Sequence, residues 1–370
     1  QPVTGAWSDR VVTRFGRRPP WIVAGVGVEL AALALLPGMT SLLAILITML
    51  CVEAASNTAQ GPYQGLLPDL VPRGHRGLAS GALGAAQLGG QVVGVALAGV
   101  AVAAGRIELA VAIAAVSLAL GAAWTVLGTT ESAGDMAAPA PTTVPGGGIR
   151  AILGQARTVT AAAWRPDVLG HRAYLWVLAS RLAILMATGT LQPFVYYYLK
   201  DSLGLGPAAA SAVAPVAAVV AFVALLGAIP GGAMTARVGR VRTVATSAVL
   251  GAAGAAAFGL APTYAVLFIL AVPFGLALGI FLAADWALIA DLAPPGESGR
   301  YLGLSNTVTA LAGLLAVAIG GPIADVVNTF GMGLGYRAVF GLAALEFVIG
   351  AWCVLHVSEA ATSEPGPLPA

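Results

Sequence analysis

The 370-residue chain has two cysteines, three histidines and a single lysine, and only 9% of its residues are charged. Each scarcity removes a class of protein. Cys51 and Cys353 both lie in apolar runs, so neither a disulfide framework nor a zinc site fits them. His75, His171 and His356 are far apart in sequence, which leaves no clustered catalytic set for an integral membrane enzyme. The lone lysine, Lys200, is not part of a Gly-x-x-x-x-Gly-Lys-Ser/Thr loop, and Gly146-Gly147-Gly148 lacks the flanking strand and helix that phosphate binding needs. No cofactor is expected. Ordinary soluble domains carry roughly 25% charged residues. With 58% hydrophobic residues and a mean hydropathy of +0.89, this chain could not cover a surface facing water. A net charge of +2 gives no bulk attraction for nucleic acid.

What is present is apolar length. Stretches of roughly 20 apolar residues cross a hydrocarbon core, and ten candidates occur, at about 20–37, 41–66, 78–103, 107–128, 173–198, 209–234, 243–261, 264–289, 301–327 and 337–356. Residues 129–172 differ, being rich in Pro, Thr, Gly and Ala, and read as a linker. Placing 7–20, 72–77, the linker, 236–242 and 291–300 on one side collects fourteen of the eighteen Arg and Lys there. By the positive-inside rule that side is cytoplasmic, in a multi-pass protein of the cell membrane.

Two patterns occur twice, about 222 residues apart. Gly5-Ala6-Trp7-Ser8-Asp9-Arg10 with Arg14-Phe15-Gly16-Arg17-Arg18 is echoed by Gly231-Gly232 and Arg237-Val238-Gly239-Arg240. Asp69, Pro72, Gly74, Gly77 and Gly81 return at Asp291, Pro294, Gly296, Gly299 and Gly303 with one constant offset. Five coincidences at one offset mark an internal duplication. Duplicated membrane bundles that rock about a central site are the architecture of secondary transporters. Without a nucleotide loop, such transport draws on an existing gradient.

On these residues the chain resembles the major facilitator superfamily. Gly5 to Arg18 is similar to the loop between that family's second and third helices, and Arg237-Val238-Gly239-Arg240 to its echo between the eighth and ninth. More narrowly, Ser8-Asp9-Arg10 with Phe15-Gly16-Arg17-Arg18-Pro19-Pro20-Trp21 resembles the branch of sucrose transporters and glycoside-pentoside-hexuronide cation symporters. So does Asn57-Thr58-Ala59-Gln60-Gly61-Pro62 with Leu66-Leu67-Pro68-Asp69-Leu70.

The resemblance implies an all-α integral membrane fold of two pseudo-symmetric six-helix bundles working by alternating access. Its first functional expectation is proton-coupled symport of a sugar or glycoside, with sodium as the other candidate ion. A proton-driven exporter of drugs or metabolites and a non-transporting relative are the rivals. Counted against the family's twelve helices, the ten spans are the third to the twelfth. Helix 1 and most of helix 2 are then missing, and the chain, starting at Gln1 in mid-motif, reads as N-terminally incomplete. The expected domains are an N-terminal bundle over 1–128, a cytoplasmic linker over 129–172, a C-terminal bundle over 173–356 and a cytoplasmic tail over 357–370.

The first loop is implied to stabilise an outward-open state, with Asp9 and Arg10 as its central members. Gly5 and Gly16 allow close helix approach and a tight turn. Asp9 can accept hydrogen bonds from a helix N-terminus or pair with an arginine in one conformation only. The expected latch therefore comprises Gly5, Asp9, Arg10, Arg14, Gly16, Arg17 and Asp69, with Arg237, Arg240 and Asp291 from the second copy. In that copy Gly232 or a neighbour takes the place of Asp9, which suggests an asymmetric latch. Arg17 and Arg18 serve equally well as topology markers.

Solute and coupling residues are sought where polar groups interrupt apolar spans, because charge inside a bilayer faces a bundle interior or water. Glu53, Asn57, Gln60 and Gln64 recur at intervals of four, three and four, on one helical face. Arg181, Thr188 and Gln192 do the same in span 173–198, where Arg181 lies roughly 12 Å in from the cytoplasmic end. It needs an anionic partner, for which Asp285 is the first candidate and Glu53 the second. Trp286, Tyr63 and Tyr196 have the chemistry to stack on sugar faces or to anchor span ends. Gln87 and Gln91 in span 78–103, and Asn306 with Ser305 and Thr309 in span 301–327, complete the polar set. Glu29 and Glu346 are expected to be structural or oligomer-facing.

Overall fold

A backbone in hydrocarbon has to satisfy its own N–H and C=O groups, so long apolar runs become helices. The computed structural model describes residues 1–10, 13, 15–129, 166–294 and 296–357. Among them the chain forms eleven α-helices: α1 (Pro2–Arg10), α2 (Pro19–Leu35), α3 (Leu42–Leu70), α4 (Arg76–Ala103), α5 (Ile107–Gly128), α6 (Arg172–Tyr197), α7 (Ala209–Val238), α8 (Arg240–Gly259), α9 (Tyr264–Leu292), α10 (Ser298–Asn328) and α11 (Leu334–Leu355). Ten are long and apolar enough to cross a membrane. They coincide with the ten spans expected from hydropathy. The expected linker lies outside the described residues apart from 129 and 166–172, as does the expected tail apart from Val357.

Several helices run past their apolar stretch. α3 continues to Leu70 because Asp69 is neutralised there by arginines, and α9 continues to Leu292 because Asp291 is neutralised in the same way. α6 ends in a π-helical turn over Tyr198–Ser202, five residues after the helix-interior Pro193.

The chain forms two compact units. The first consists of Gln1–Val71, the described parts of Gln91–Pro166, and Ala293–Asn306, so it holds α1, α2, α3, α5, the later part of α4 and the first turns of α10. Its apolar core is Ile22, Val26, Ala59 and Leu66, backed by Leu30, Leu118, Ala122 and Val126. The second consists of Pro72–Gly90, Asp167–Leu292 and the described parts of Thr307–Ala370. An aromatic chain runs through its interior, with Tyr198 edge-on to Phe340 at 5.0 Å, Phe340 to Phe258 at 6.4 Å and Phe258 to Phe274 at 6.0 Å. The buried Tyr198 hydroxyl donates to the Ala261 carbonyl at 2.8 Å.

Helix association in a membrane rests on close packing rather than on hydrophobic transfer, so small residues decide where backbones meet. α7 and α9 show this plainly. A methyl group added at Gly275 would lie 2.7 Å from the Val220 carbonyl oxygen, and one at Gly279 would be driven into the carbonyl of Ala224. Gly279→Ala is therefore expected to cost about 1–3 kcal/mol through forced separation of the two helices. Gly121→Ala, where nothing lies within 4 Å, should be neutral. Thermal unfolding of the two variants in one detergent checks the contrast, and equal melting temperatures would contradict it.

Candidate functional site

Three buried arginine–carboxylate clusters organise the polar residues of the described chain. The first is built around Arg18, which precedes the proline-started helix α2 and is fully buried. Its Nη2 lies 2.7 Å from Asp9 and 2.9 Å from Asp69 and donates to Ser298 Oγ at 2.8 Å, while Nη1 donates to Ser8 Oγ. Arg17 joins Asp69 at 2.8 Å, and the Ser298 hydroxyl donates to Asp69 Oδ1 at 2.8 Å. Burial works against the Arg18 charge, but Asp9 and Asp69 outweigh it and hold the guanidinium above its ordinary value.

Asp9 does a second thing. Its two oxygens accept the backbone N–H groups of Gly299 and Arg300 at 3.2 and 3.0 Å, at the start of α10. A helix N-terminus has unpaired N–H groups and a positive end, so a carboxylate fits there. Glycines make the approach possible. A side chain at Gly5 would strike the Gly299 carbonyl, and one at Gly65 would lie 2.7 Å from the Arg18 guanidinium.

The second cluster has the duplicated acid at its centre. Asp291 accepts Arg76 Nη1 at 2.9 Å and pairs with Arg240. Arg240 stands where Arg18 stands in the first copy, and Arg76 corresponds in the same way to Ser298. Gly16 and Gly239, just before these loop arginines, both take positive φ, +100° and +92°, which favours glycine at the turn. At the start of α4, Gly77 faces Gly232 and Thr235 of α7. No carboxylate is found there among the described residues, so the residue opposite this helix start is Thr235, with Gly232 one turn earlier.

The third cluster lies within the apolar spans. Arg181 of α6 is 4% exposed and pairs with Asp285 of α9, which is 2% exposed. The Arg181 Nε and Nη2 both donate to Thr309 Oγ1 of α10, at 3.2 and 3.0 Å, and the guanidinium sits 5.3 Å from the centre of the Trp286 ring.

Other expected residues are placed differently. Along α3, the amide of Asn57 donates back to the Glu53 carbonyl at 2.7 Å, Gln60 accepts from Gln1 at 2.8 Å, and Gln64 accepts from Asn306. The stripe is thus partly consumed by contacts to α1 and α10 within the first unit. Glu53, Gln87, Gln91 and Gln192 are exposed, and Thr188 bonds its own helix at Leu185. Arg10 is half-buried without an ion pair to the described residues, Arg237 is exposed, and Arg14 lies outside the described residues. Glu346 is buried and takes the Thr190 hydroxyl at 3.2 Å, so it faces α6 rather than an oligomer partner. Arg18, Arg76, Ser298 and Thr309 were missed as partners. Extending the repeat offset to Arg18/Arg240 and Arg76/Ser298 would have found three of them.

Ten membrane-length helices make this a multi-pass membrane protein, and its family makes it a transport protein and not an enzyme. The Major Facilitator Superfamily family model matches residues 1–225 and again residues 177–370, and the chain belongs to that superfamily. Solved structures that share its fold include the following three. A bacterial homologue of the iron transporter ferroportin, in an outward-facing state, is 15% identical with a TM-score of 0.72, covering 98% of this chain and 86% of its own. The human organic anion transporter MFSD10 (TETRAN) is 17% identical with a TM-score of 0.71, covering 95% and 79%. The E. coli fucose:proton symporter FucP is 13% identical with a TM-score of 0.61, covering 96% and 90%.

Removing Arg18 would leave Asp9 and Asp69 buried without their shared cation. Arg18→Ala should cost about 3–5 kcal/mol, whereas Arg10→Ala should change stability by well under 1 kcal/mol. Chemical or thermal unfolding of both variants tests this, and a silent Arg18→Ala would remove Arg18 from the centre of the cluster.

Proposed function

We propose that the chain is a proton-coupled secondary transporter working by alternating access, with the buried Arg181–Asp285 pair as its coupling centre. That pair is the observation that carries the reading. A carboxylate deep in a span is costly when charged and alone, so it exchanges a proton when its cation changes partner. The Arg-rich loops are placed on the cytoplasmic side by the positive-inside rule. The bundles 1–128 and 173–356 are proposed as the moving bodies, with the Arg18 and Asp291 clusters as contacts made in one conformation and broken in another. A sugar or glycoside is the first solute to test, supported by the sequence resemblance and by a fucose:proton symporter among the structural neighbours. The amide stripe supports it less, since Gln60 and Gln64 are engaged with Gln1 and Asn306.

External pH in lightly buffered cells expressing the protein should rise when the transported solute is added, and Asp285→Asn should abolish that rise while leaving solute exchange intact. Silence across sugars, sugar acids and other small metabolites, with the protein folded in the membrane, would sink the reading. Arg181→Ala should destabilise by about 3–5 kcal/mol by leaving a buried carboxylate unpaired. The double variant with Asp285→Asn should recover most of that loss, and no recovery would separate the two residues.

A further inference from the structure

The partners of Arg181 are unequal on its two sides. Nη1 meets Asp285, a full negative charge. The opposite edge, Nε with Nη2, is the pair of parallel donors that a carboxylate grips with two oxygens. Here that edge is shared by one hydroxyl oxygen, Thr309 Oγ1. Arg181 and Asp285 are buried, but Thr309 is exposed, so this edge lies one side chain below the accessible surface of its unit. The Trp286 ring covers one flat face of the guanidinium.

Charge balance then restricts what can be carried. While Asp285 is ionised, the pair is neutral. If Asp285 takes a proton from water and the solute is uncharged, Arg181 is left in the span as a bare cation, which is the arrangement that low dielectric penalises most. If the solute brings a carboxylate to the Nε/Nη2 edge, the same protonation restores neutrality, with one proton bound per anion. Among the described residues Asp285 is the carboxylate paired with Arg181. Tyr174 lies two turns before Arg181 on α6, and its phenol is neutral at physiological pH. On α9 itself, Asp291 is already held by Arg76 of α4 and Arg240 of α8. Arg237 and Arg242 sit at the far end of α7 and the start of α8, and Glu346 of α11 faces Thr190, nine residues along α6 from Arg181.

We infer that the solute is a small organic carboxylate, bound through the Nε/Nη2 edge of Arg181 in place of the Thr309 hydroxyl while Asp285 takes up the proton. This rests on the proton-coupled reading of the same pair but replaces the neutral sugar or glycoside with an acid, sugar acids included. Thr309 is then a positioning residue that keeps the edge occupied between cycles.

Binding to the full chain in nanodiscs tests it with matched probes: D-glucuronate against D-glucose, L-lactate against glycerol, and benzoate against benzyl alcohol. An acid of the panel should bind and its neutral partner should not, with affinity falling about tenfold per unit rise in pH for one linked proton. Asp285→Asn should flatten that dependence. Thr309→Val should strengthen acid binding, where a merely structural threonine would lose stability and leave affinity unchanged. Formate gives a solute-independent arm: it should raise the melting temperature of Asp285→Ala more than chloride at equal concentration, and should do nothing for the double variant with Arg181→Gln. Tight binding of a neutral partner, or no response of wild type to any acid together with no formate effect, overturns the carboxylate. If a neutral solute drives proton uptake that Asp285→Asn stops, proton coupling stands and the anion falls. If an acid binds with the expected pH slope but no gradient drives its accumulation, the anion site stands and the transport reading falls.

Discussion

A guanidinium placed in or beside hydrocarbon needs a carboxylate, and that demand fixes which helix ends meet in this protein. Arg18 draws Asp9 and Asp69 together, Asp291 draws Arg76 and Arg240, and Arg181 draws Asp285. Such pairs are not large net stabilisers, since desolvation offsets most of their attraction. Their force lies in the penalty for separation. A helix end that slides away strands a charge, so the register of α1, α3 and the start of α10 is set by Arg18 as firmly as by the apolar core.

Much of this was legible from residue order. Hydropathy located all ten spans, because in a membrane the apolar run and the helix are nearly the same object. The carboxylate partner of Arg181 was legible too, since acids that deep in a span are few. The choice among Arg10, Arg14, Arg17 and Arg18 was not. Four arginines in one loop look alike in sequence, and what singles out Arg18 is a space against Gly65, 47 residues further along the chain. The amide stripe of α3 was legible only as a shared face, because periodicity tells which residues share a face but not whether a neighbouring helix lies against it. Gln60 and Gln64 share a face, and that face meets Gln1 and Asn306.

The duplication explains both the likeness of the first two clusters and their difference. The acid, the turn glycine and the loop arginine recur in each copy, so the same skeleton is built twice. The partner supplied by the helix start that meets each acid does not recur: it is Ser298 of α10 beside Asp69 and Arg76 of α4 beside Asp291. With a cation already arriving from α4, a carboxylate opposite that helix start would compete for it, and Thr235 stands there instead.

That difference governs how freely each copy can drift. Asp9 grips α10 through main-chain N–H groups, which every residue except proline possesses, so the position of Arg300 can change identity without loosening that grip. Asp291 grips α4 through one particular side chain, and any replacement of Arg76 severs it. The Asp9 contact is written in the backbone of the helix it holds, and the Asp291 contact in the identity of a single side chain.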